Sequence, residues 1–404
     1  MKNKIMKIAL VLDGLQVGGI ERVCIDYCKI LVSLNYEVTI FNLRPELNAL
    51  KKEVPSSVHI VDIPFSTYLA PEKYAKLIKK DFLGKFIYFF AYIFFSILVF
   101  FYRLYCKIRY KECRNRYDFL IAFSSHFNDL TFVSKKFAET KHTIAWVHGA
   151  LYSYLLLSDG YVNLYNKIRN LIVLVDDAQE EVLAYNKNLH LTIYKLYNPT
   201  SVNLRKIDNE KVREIQKKYG DFFLMVSRFQ YPHKDQPTVI KAFANLIIKY
   251  KVKINLVFIG DGPDKKKSEQ IVKSLPASVK KRIYFLGTEL NVQDYYVAAY
   301  ALVHASVAGE GLPTVMIEAM NYGLPEIVTD SKTGPREILG DSKCGLLCKV
   351  NDPEDMSVKM YELLKNKALY RNLQNLEHER IADFYPQKIK EKLNNILMKI
   401  SDEQ

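Results

Sequence analysis

Short apolar runs alternate with longer amphipathic stretches along most of this chain. Ile8–Leu12 is an unbroken apolar run that stops at Asp13-Gly14; Gly18-Gly19 follow, then a helical spacing over Ile20–Leu31 and a second apolar run over Glu37–Phe41. Unbroken runs of about five residues, in place of in-and-out alternation, describe strands covered on both faces, as in a parallel sheet. The same rhythm returns at Phe119–Phe123, Thr143–Val147, Leu171–Val175 and, after a helical stretch at Asp176–Tyr185, at Leu191–Leu196. Tyr197-Asn198-Pro199 and a charge-dense stretch, Ser201–Gly220, then interrupt it.

A second series follows. Strands are predicted at Phe222–Val226, Asn255–Ile259, Ile283–Leu286, Ala301–Ala305 and Glu326–Thr329, with helices at Gln236–Lys249, Asp264–Leu275, Asn291–Ala298 and Pro313–Tyr322 between them. Two βα series on either side of one connector predict an α/β protein with two Rossmann-like domains, their parallel sheets facing each other across a cleft. The boundaries are 1–200, 201–384 and a C-terminal helix, 385–404. Ligands then belong at the carboxyl ends of the strands.

At 404 residues, 49% hydrophobic and 25% charged, the chain fits an ordinary two-domain globular protein and excludes wholesale disorder or a polytopic membrane protein. Six cysteines without a CxxC pair read as free thiols of a reducing compartment, and the N-terminus has no secretion signal. The net charge of +14 is compatible with nucleic acid, an anionic membrane or a phosphate-bearing substrate, so the positions of the charges must decide.

The most chemical segment is Ser306–Met320. A strand leads into the turn Gly309-Glu310-Gly311-Leu312-Pro313, Pro313 suits a first helical position that needs no N–H, and a helix follows. The N–H groups of Gly311, Leu312, Thr314 and Val315 and the positive end of the helix would hold an anion such as phosphate. Glu310 and Glu318 flank that anion site, where carboxylates are better used as acceptors for sugar and ribose hydroxyls. The same residues also read as a capped helix with surface glutamates.

Glu310-x7-Glu318, with Gly323-Leu324-Pro325 and Gly334-Pro335-Arg336-Glu337-Ile338 after it, resembles the donor-site signature of the family 4 retaining glycosyltransferases. Upstream, Val226-Ser227-Arg228-Phe229 with Lys234, Gly260-Asp261-Gly262-Pro263, Phe285-Leu286-Gly287, Trp146-Val147-His148-Gly149 and Gly18-Gly19-Ile20-Glu21-Arg22-Val23 are similar to further motifs of that family, in its order. The resemblance implies a GT-B fold, with 1–200 as the acceptor-binding domain, 201–384 as the nucleotide-sugar-binding domain and the helix 385–404 returning to the first domain, and a nucleotide-sugar donor, UDP-linked in preference to GDP-linked, with no separate cofactor. It implies catalytic roles for Glu310, His148, Arg228 and Lys234. It also implies donor contacts from Gly18, Gly19, Arg228, Lys234, Gly311, Leu312, Pro313, Thr314, Val315 and Glu318, and an acceptor that is a glycan or a polyprenyl-diphosphate-linked glycan of surface polysaccharide synthesis. Two positions depart from the pattern: Asp235 after Lys234, and Glu326 where a buried strand should begin with an apolar residue.

A diphosphate leaving group needs cations and N–H dipoles aimed at it. Arg228 offers a planar fork and Lys234 a mobile point charge. No two Asp residues stand two positions apart, so the Asp-x-Asp metal clamp used by the other main transferase architecture is missing, and metal-independent activity is expected.

Residues 86–102 carry no formal charge and ten aromatic rings, and eleven Lys and Arg against Asp81 and Glu112 give residues 73–116 a net +9. A spanning helix here would divide the first domain and has basic flanks on both sides, which argues against crossing. The segment reads as an in-plane helix on an anionic membrane surface at the inner face of the cell membrane, and not as a nucleic-acid site. A core helix with solvated lysines is the plainer alternative. For the whole chain, the rivals are a sugar-nucleotide epimerase or hydrolase of the same fold and a non-catalytic nucleotide-sugar-binding scaffold at the membrane.

Overall fold

The computed structural model describes residues 5–79, 82–149, 159–176, 190–200, 206–289, 291–307, 310–332 and 334–402. The chain divides into two compact units. The first comprises residues 1–199 and 386–404, the second residues 200–385.

The first unit holds a seven-stranded parallel sheet of β1 (Lys7–Leu12), β2 (Glu37–Asn42), β3 (His59–Asp62), β4 (Arg116–Ala122), β5 (Glu139–Trp146), β6 (Asn170–Val173) and β7 (Thr192–Lys195), in the order β3-β2-β1-β4-β5-β6-β7. Strands β1 and β4 are almost wholly buried, which is why their sequences are unbroken apolar runs. β3 is absent from the sequence reading because it is four residues long and half polar, an edge strand with little apolar signal. The helical expectation at Asp176–Tyr185 falls mostly outside the described residues. Helix Pro386–Asp402 belongs to this unit: Ile389, Leu393, Leu397 and Ile400 form its buried stripe, and Lys390 Nζ donates to the Ser33 carbonyl at 3.0 Å.

The second unit is built on a six-stranded parallel sheet of β8 (Phe222–Val226), β9 (Asn255–Ile259), β10 (Ile283–Phe285), β11 (Ala301–His304), β12 (Glu326–Thr329) and β13 (Leu346–Cys348), in the order β10-β9-β8-β11-β12-β13. The charge-dense stretch is not simply a connector, since Asn209–Tyr219 is a helix capped by Asp208 whose Val212, Ile215 and Tyr219 are buried. Its charges occupy the other face, and three inward positions were too few to stand out in the sequence. The core is made by β8, β9 and β11 with helices Gln236–Tyr250 and Pro353–Lys365.

Both departures from the family pattern acquire physical descriptions. Asp235 is the N-cap of helix Gln236–Tyr250, accepting the Thr238 N–H at 3.1 Å. Glu326 does begin a buried strand and is fully buried itself; both its carboxyl oxygens lack a partner among the described residues, and burial pushes its pKa well above the ordinary range. Glu377 on helix Lys367–Arg380 is equally buried, and its pKa is raised first by burial and then by Glu326.

In each sheet the chain winds outward in one direction from the first strand and then returns to wind in the other. The strand order reverses between β1 and β4 in one sheet and between β8 and β11 in the other. At such a reversal the loops from neighbouring strand ends part to opposite faces and leave a crevice, the preferred ligand position in an open α/β sheet.

Candidate active site

The β8/β11 crevice of the second unit is lined by the loop after β8, which carries Arg228 and Lys234, and the loop after β11, which carries Glu310. Two close backbone approaches shape it. Gly260 has φ +129°, and a Cβ there would stand 2.1 Å from the Ser227 carbonyl oxygen. A Cβ on Gly334 would stand 2.0 Å from the Gly311 carbonyl oxygen, and the Gly334 N–H donates to the Glu310 carbonyl at 3.1 Å. Two of the sequence motifs therefore exist to seat the two loops of the crevice.

Lys234 and Glu310, 76 positions apart, meet here. Lys234 Nζ donates to Glu310 Oε1; His304 Nε2 lies 3.1 Å from Glu310 Oε2 and 3.4 Å from Lys234 Nζ. Glu310 is 8% exposed and His304 is 1% exposed, while the Lys234 side chain keeps 22% of its surface. Burial alone would raise the Glu310 pKa; His304 and then Lys234 overcome it and hold the carboxyl at about 2. Burial, then Lys234, lowers the His304 pKa below 6.5. His304 is therefore neutral at pH 7, where Lys234 balances the carboxylate, and takes up a proton before Glu310 does on acidification. His304 escaped the sequence reading although it ends a strand five residues before the Gly-rich turn, and strand-end position was the available signal.

The other expected donor residues are placed less tightly. Arg228 is exposed on the loop after β8, where its carbonyl accepts from the Gln236 amide at 3.1 Å. Pro313 is the N-cap and not the first helical residue, so the helix runs only from Thr314 to Met320. The helix starts late because Pro313 has an extended backbone, with ψ 108°. Gly311, Leu312 and Pro313 are buried, Val315 is half-buried and Thr314 is exposed. Glu318 is exposed and accepts from the buried Tyr296 hydroxyl at 2.9 Å.

In the first unit, Gly18 is the N-cap of helix Gly19–Ser33, and a Cβ on Gly19 would meet open space. His148 follows β5 with its ring against Phe123, at 4.6 Å between centroids, and parallel to Trp146. Both ring nitrogens are buried and, among the described residues, lack a partner in hydrogen-bond geometry, and burial lowers the pKa to about 3. This imidazole is neutral over the physiological range.

Residues 207–379 match the family described as glycosyl transferases group 1. The architecture is GT-B. Solved structures that cover nearly the whole chain share it: a glycosyltransferase from Rickettsia africae (17% identity, 99% of this chain and 100% of that one, TM-score 0.72) and Anabaena HepE in complex with UDP (16% identity, 98% and 100%, TM-score 0.69). Among curated relatives, the amylovoran biosynthesis glycosyltransferase AmsD of Erwinia amylovora is 31% identical over 35% of this chain and 39% of its own length. A Campylobacter jejuni transferase is 29% identical over 48% of this chain and 50% of its own length. Its name assigns it 4-alpha-N-acetylgalactosaminyl transfer to an N-acetylgalactosamine-N,N'-diacetylbacillosaminyl-diphospho-undecaprenol. The matched part of this chain thus spans half or less of these relatives.

Proposed function

We propose that this GT-B protein is a retaining glycosyltransferase that moves a sugar from a nucleoside-diphosphate donor, UDP-linked in preference to GDP-linked, to a glycan or polyprenyl-diphosphate-linked acceptor in surface polysaccharide synthesis. The Lys234–Glu310–His304 cluster at the β8/β11 crevice carries the reading. The group 1 match over residues 207–379 and the diphospho-undecaprenol acceptor in the Campylobacter relative's name support it.

Negative charge gathers on the diphosphate as the glycosidic bond breaks, and fixed cations lower that barrier most when they need no rearrangement. Arg228 is already exposed to a ligand. Lys234 is held by Glu310, so an arriving phosphate shares a cation that the carboxylate has positioned. Glu310 keeps lone pairs for donor-sugar hydroxyls, Glu318, steadied by Tyr296, meets the ribose, and the N–H groups from Gly311 to Val315 face the phosphates. In the first unit, Gly18 and Gly19 take a role through their backbone N–H groups and His148 a role as a neutral imidazole. Two cations supply the charge a divalent metal would bring, so turnover is metal-independent.

The protein works at the inner face of the membrane. Helix Phe82–Arg109 is long and apolar enough to cross a bilayer, yet it joins β3 to β4, which belong to one sheet with β2 and β1 between them. Crossing would set those strands on opposite sides. Phe86, Phe90, Ile93, Ile97, Phe101, Leu104 and Ile108 are exposed at spacings of three and four, a single stripe about 33 Å long at ~1.5 Å per residue. An in-plane seat buries this stripe among lipid chains and sets the flanking cations against anionic headgroups.

The test is a panel of UDP- and GDP-sugars with a polyprenyl-diphosphate-linked N-acetylhexosamine, with and without chelator, reading the anomeric configuration of the product by NMR. Retention of donor configuration in the presence of chelator is expected. Inversion, donor hydrolysis independent of acceptor, or donor binding without consumption would each replace this reading with another.

A further inference from the structure

The reversal that places Lys234 and Glu310 has a counterpart in the first unit, between β1 and β4, and that crevice holds a cluster of ionisable groups outside the motifs assigned to the donor. Asp13 follows β1 and His126 follows β4. His126 Nδ1 lies 3.3 Å from Asp13 Oδ2, Asn128 Nδ2 donates to Asp13 Oδ1 at 2.6 Å, and the Asp13 N–H donates to Ser124 Oγ at 3.0 Å. The loops after two neighbouring strands are thereby tied together through side chains.

The cluster is built, not incidental. Ser125 has φ +51°, a left-handed conformation that a serine adopts only when its surroundings impose it. Asp129 imposes it: this fully buried carboxyl accepts the Ser125 and His126 N–H groups, both at 2.7 Å. Ser125 Oγ in turn donates to the Trp146 carbonyl at 2.5 Å. The strained turn keeps His126 at the rim, where 45% of its side chain is exposed, while 13% of the Asp13 side chain stays accessible. Each Asp13 oxygen has one partner here and capacity for another, and His126 Nε2 makes no hydrogen bond among the described residues.

We propose that Asp13 and His126 form the binding site for hydroxyl groups of the acceptor sugar, with Asp129 as the residue that positions them. A hydroxyl both donates and accepts. A carboxylate beside an imidazole N–H offers one acceptor and one donor at neighbouring points, which matches two adjacent hydroxyls of a sugar ring and matches a phosphate poorly, since Asp13 would repel it. The assignment rests on the transferase reading and names the acceptor-side residues it lacks.

Trp146 is the only tryptophan and packs behind this turn against Phe123 and Tyr27, so its fluorescence reports on the crevice. The probe is farnesyl-diphosphate-linked N-acetylgalactosamine, titrated against the intact protein and then used as acceptor with UDP-glucose, UDP-galactose, UDP-N-acetylglucosamine and UDP-N-acetylgalactosamine. In both Asp13→Ala and His126→Gln, the probe's Kd and its KM as acceptor should rise about tenfold or more, with the donor KM within twofold of wild type and unchanged melting for His126→Gln. Variants that bind the probe like wild type, a donor KM that rises in step with the acceptor KM, or a wild-type protein that does not bind the probe would each overturn the assignment. A wild-type protein that binds the probe through Asp13 but transfers nothing from any donor would sink the transferase reading and leave this site standing.

Discussion

Removing Lys234 tests how tightly the candidate active site is held together. Glu310 is 8% exposed and its pKa is held at about 2, against 4.5 for an unperturbed glutamate. At about 1.4 kcal/mol per pH unit, the folded state favours the carboxylate by roughly 3 kcal/mol over the unfolded chain. His304 is the larger cause of that depression and Lys234 the second, so Lys234 accounts for a part of the preference. Lys234→Met should then cost about 2 kcal/mol, between the ~0–1 of an exposed pair and the ~3–5 of breaking a fully buried one. Glu310→Gln and the double variant complete a cycle whose coupling should be of the same size, about 2 kcal/mol. A folded pKa below the unfolded one means stability present above pH 4.5 and lost as the pH falls from 4.5 through about 2, and the coupling should fade over that window. His304, also lowered, adds a loss that begins as the pH drops below 6.5. The units can unfold separately, so the assay is urea-dependent thiol labelling read by mass spectrometry: Cys344 and Cys348 report the second unit, Cys24 and Cys28 the first, and all are buried. A coupling below about 0.5 kcal/mol at pH 7, or a loss registered at Cys24 and Cys28 instead, would refute the reasoning.

Three further outcomes follow from the same geometry. Glu326→Gln should leave the second unit equally stable near pH 4 and more stable than wild type above it, by a margin that grows with pH, because a carboxyl with a raised pKa loses its stabilising proton as the pH climbs past 4.5; thiol labelling at pH 4 and pH 8 measures this. Gly334→Ala should cost the second unit about 1–3 kcal/mol, since its methyl must displace the Gly311 carbonyl, and a variant with wild-type stability and donor affinity would show the contact to be unimportant. Phe90→Glu combined with Ile97→Glu should release the protein from anionic vesicles in a sedimentation assay, with the Cys24 and Cys28 transitions unchanged; retention on the vesicles would remove the in-plane helix from the account.

The βα rhythm, both series and all the central strands were legible because parallel strands buried on two faces are apolar without interruption. β3 and β13 were not, being short edge strands. At the site, motif spacing brought out Lys234 and Glu310, while their direct contact and the buried His304 behind them depend on which strands are neighbours, a property of sheet order that no local pattern carries. Asp13 and His126 stayed hidden for the same reason: 113 positions apart, each is an ordinary polar residue until β1 and β4 pair. The basic aromatic segment was visible as a composition, but its reach was underestimated, since the helix extends from Phe82 to Arg109 with Lys85, Arg103 and Lys107 within it. Helical geometry tolerates charges at positions that composition treats as boundaries.

If sugar leaves its diphosphate under the control of Lys234 and Glu310, the steady-state rate of transfer from a radiolabelled UDP-sugar to a polyprenyl-diphosphate-linked acceptor, measured at saturating donor with EDTA present, must fall in Lys234→Ala and in Glu310→Ala relative to wild type. A fall of about 10²-fold or more in each variant, with the wild-type rate insensitive to EDTA, is the predicted result. Wild-type rates in both variants, or a wild-type rate abolished by EDTA, would contradict it.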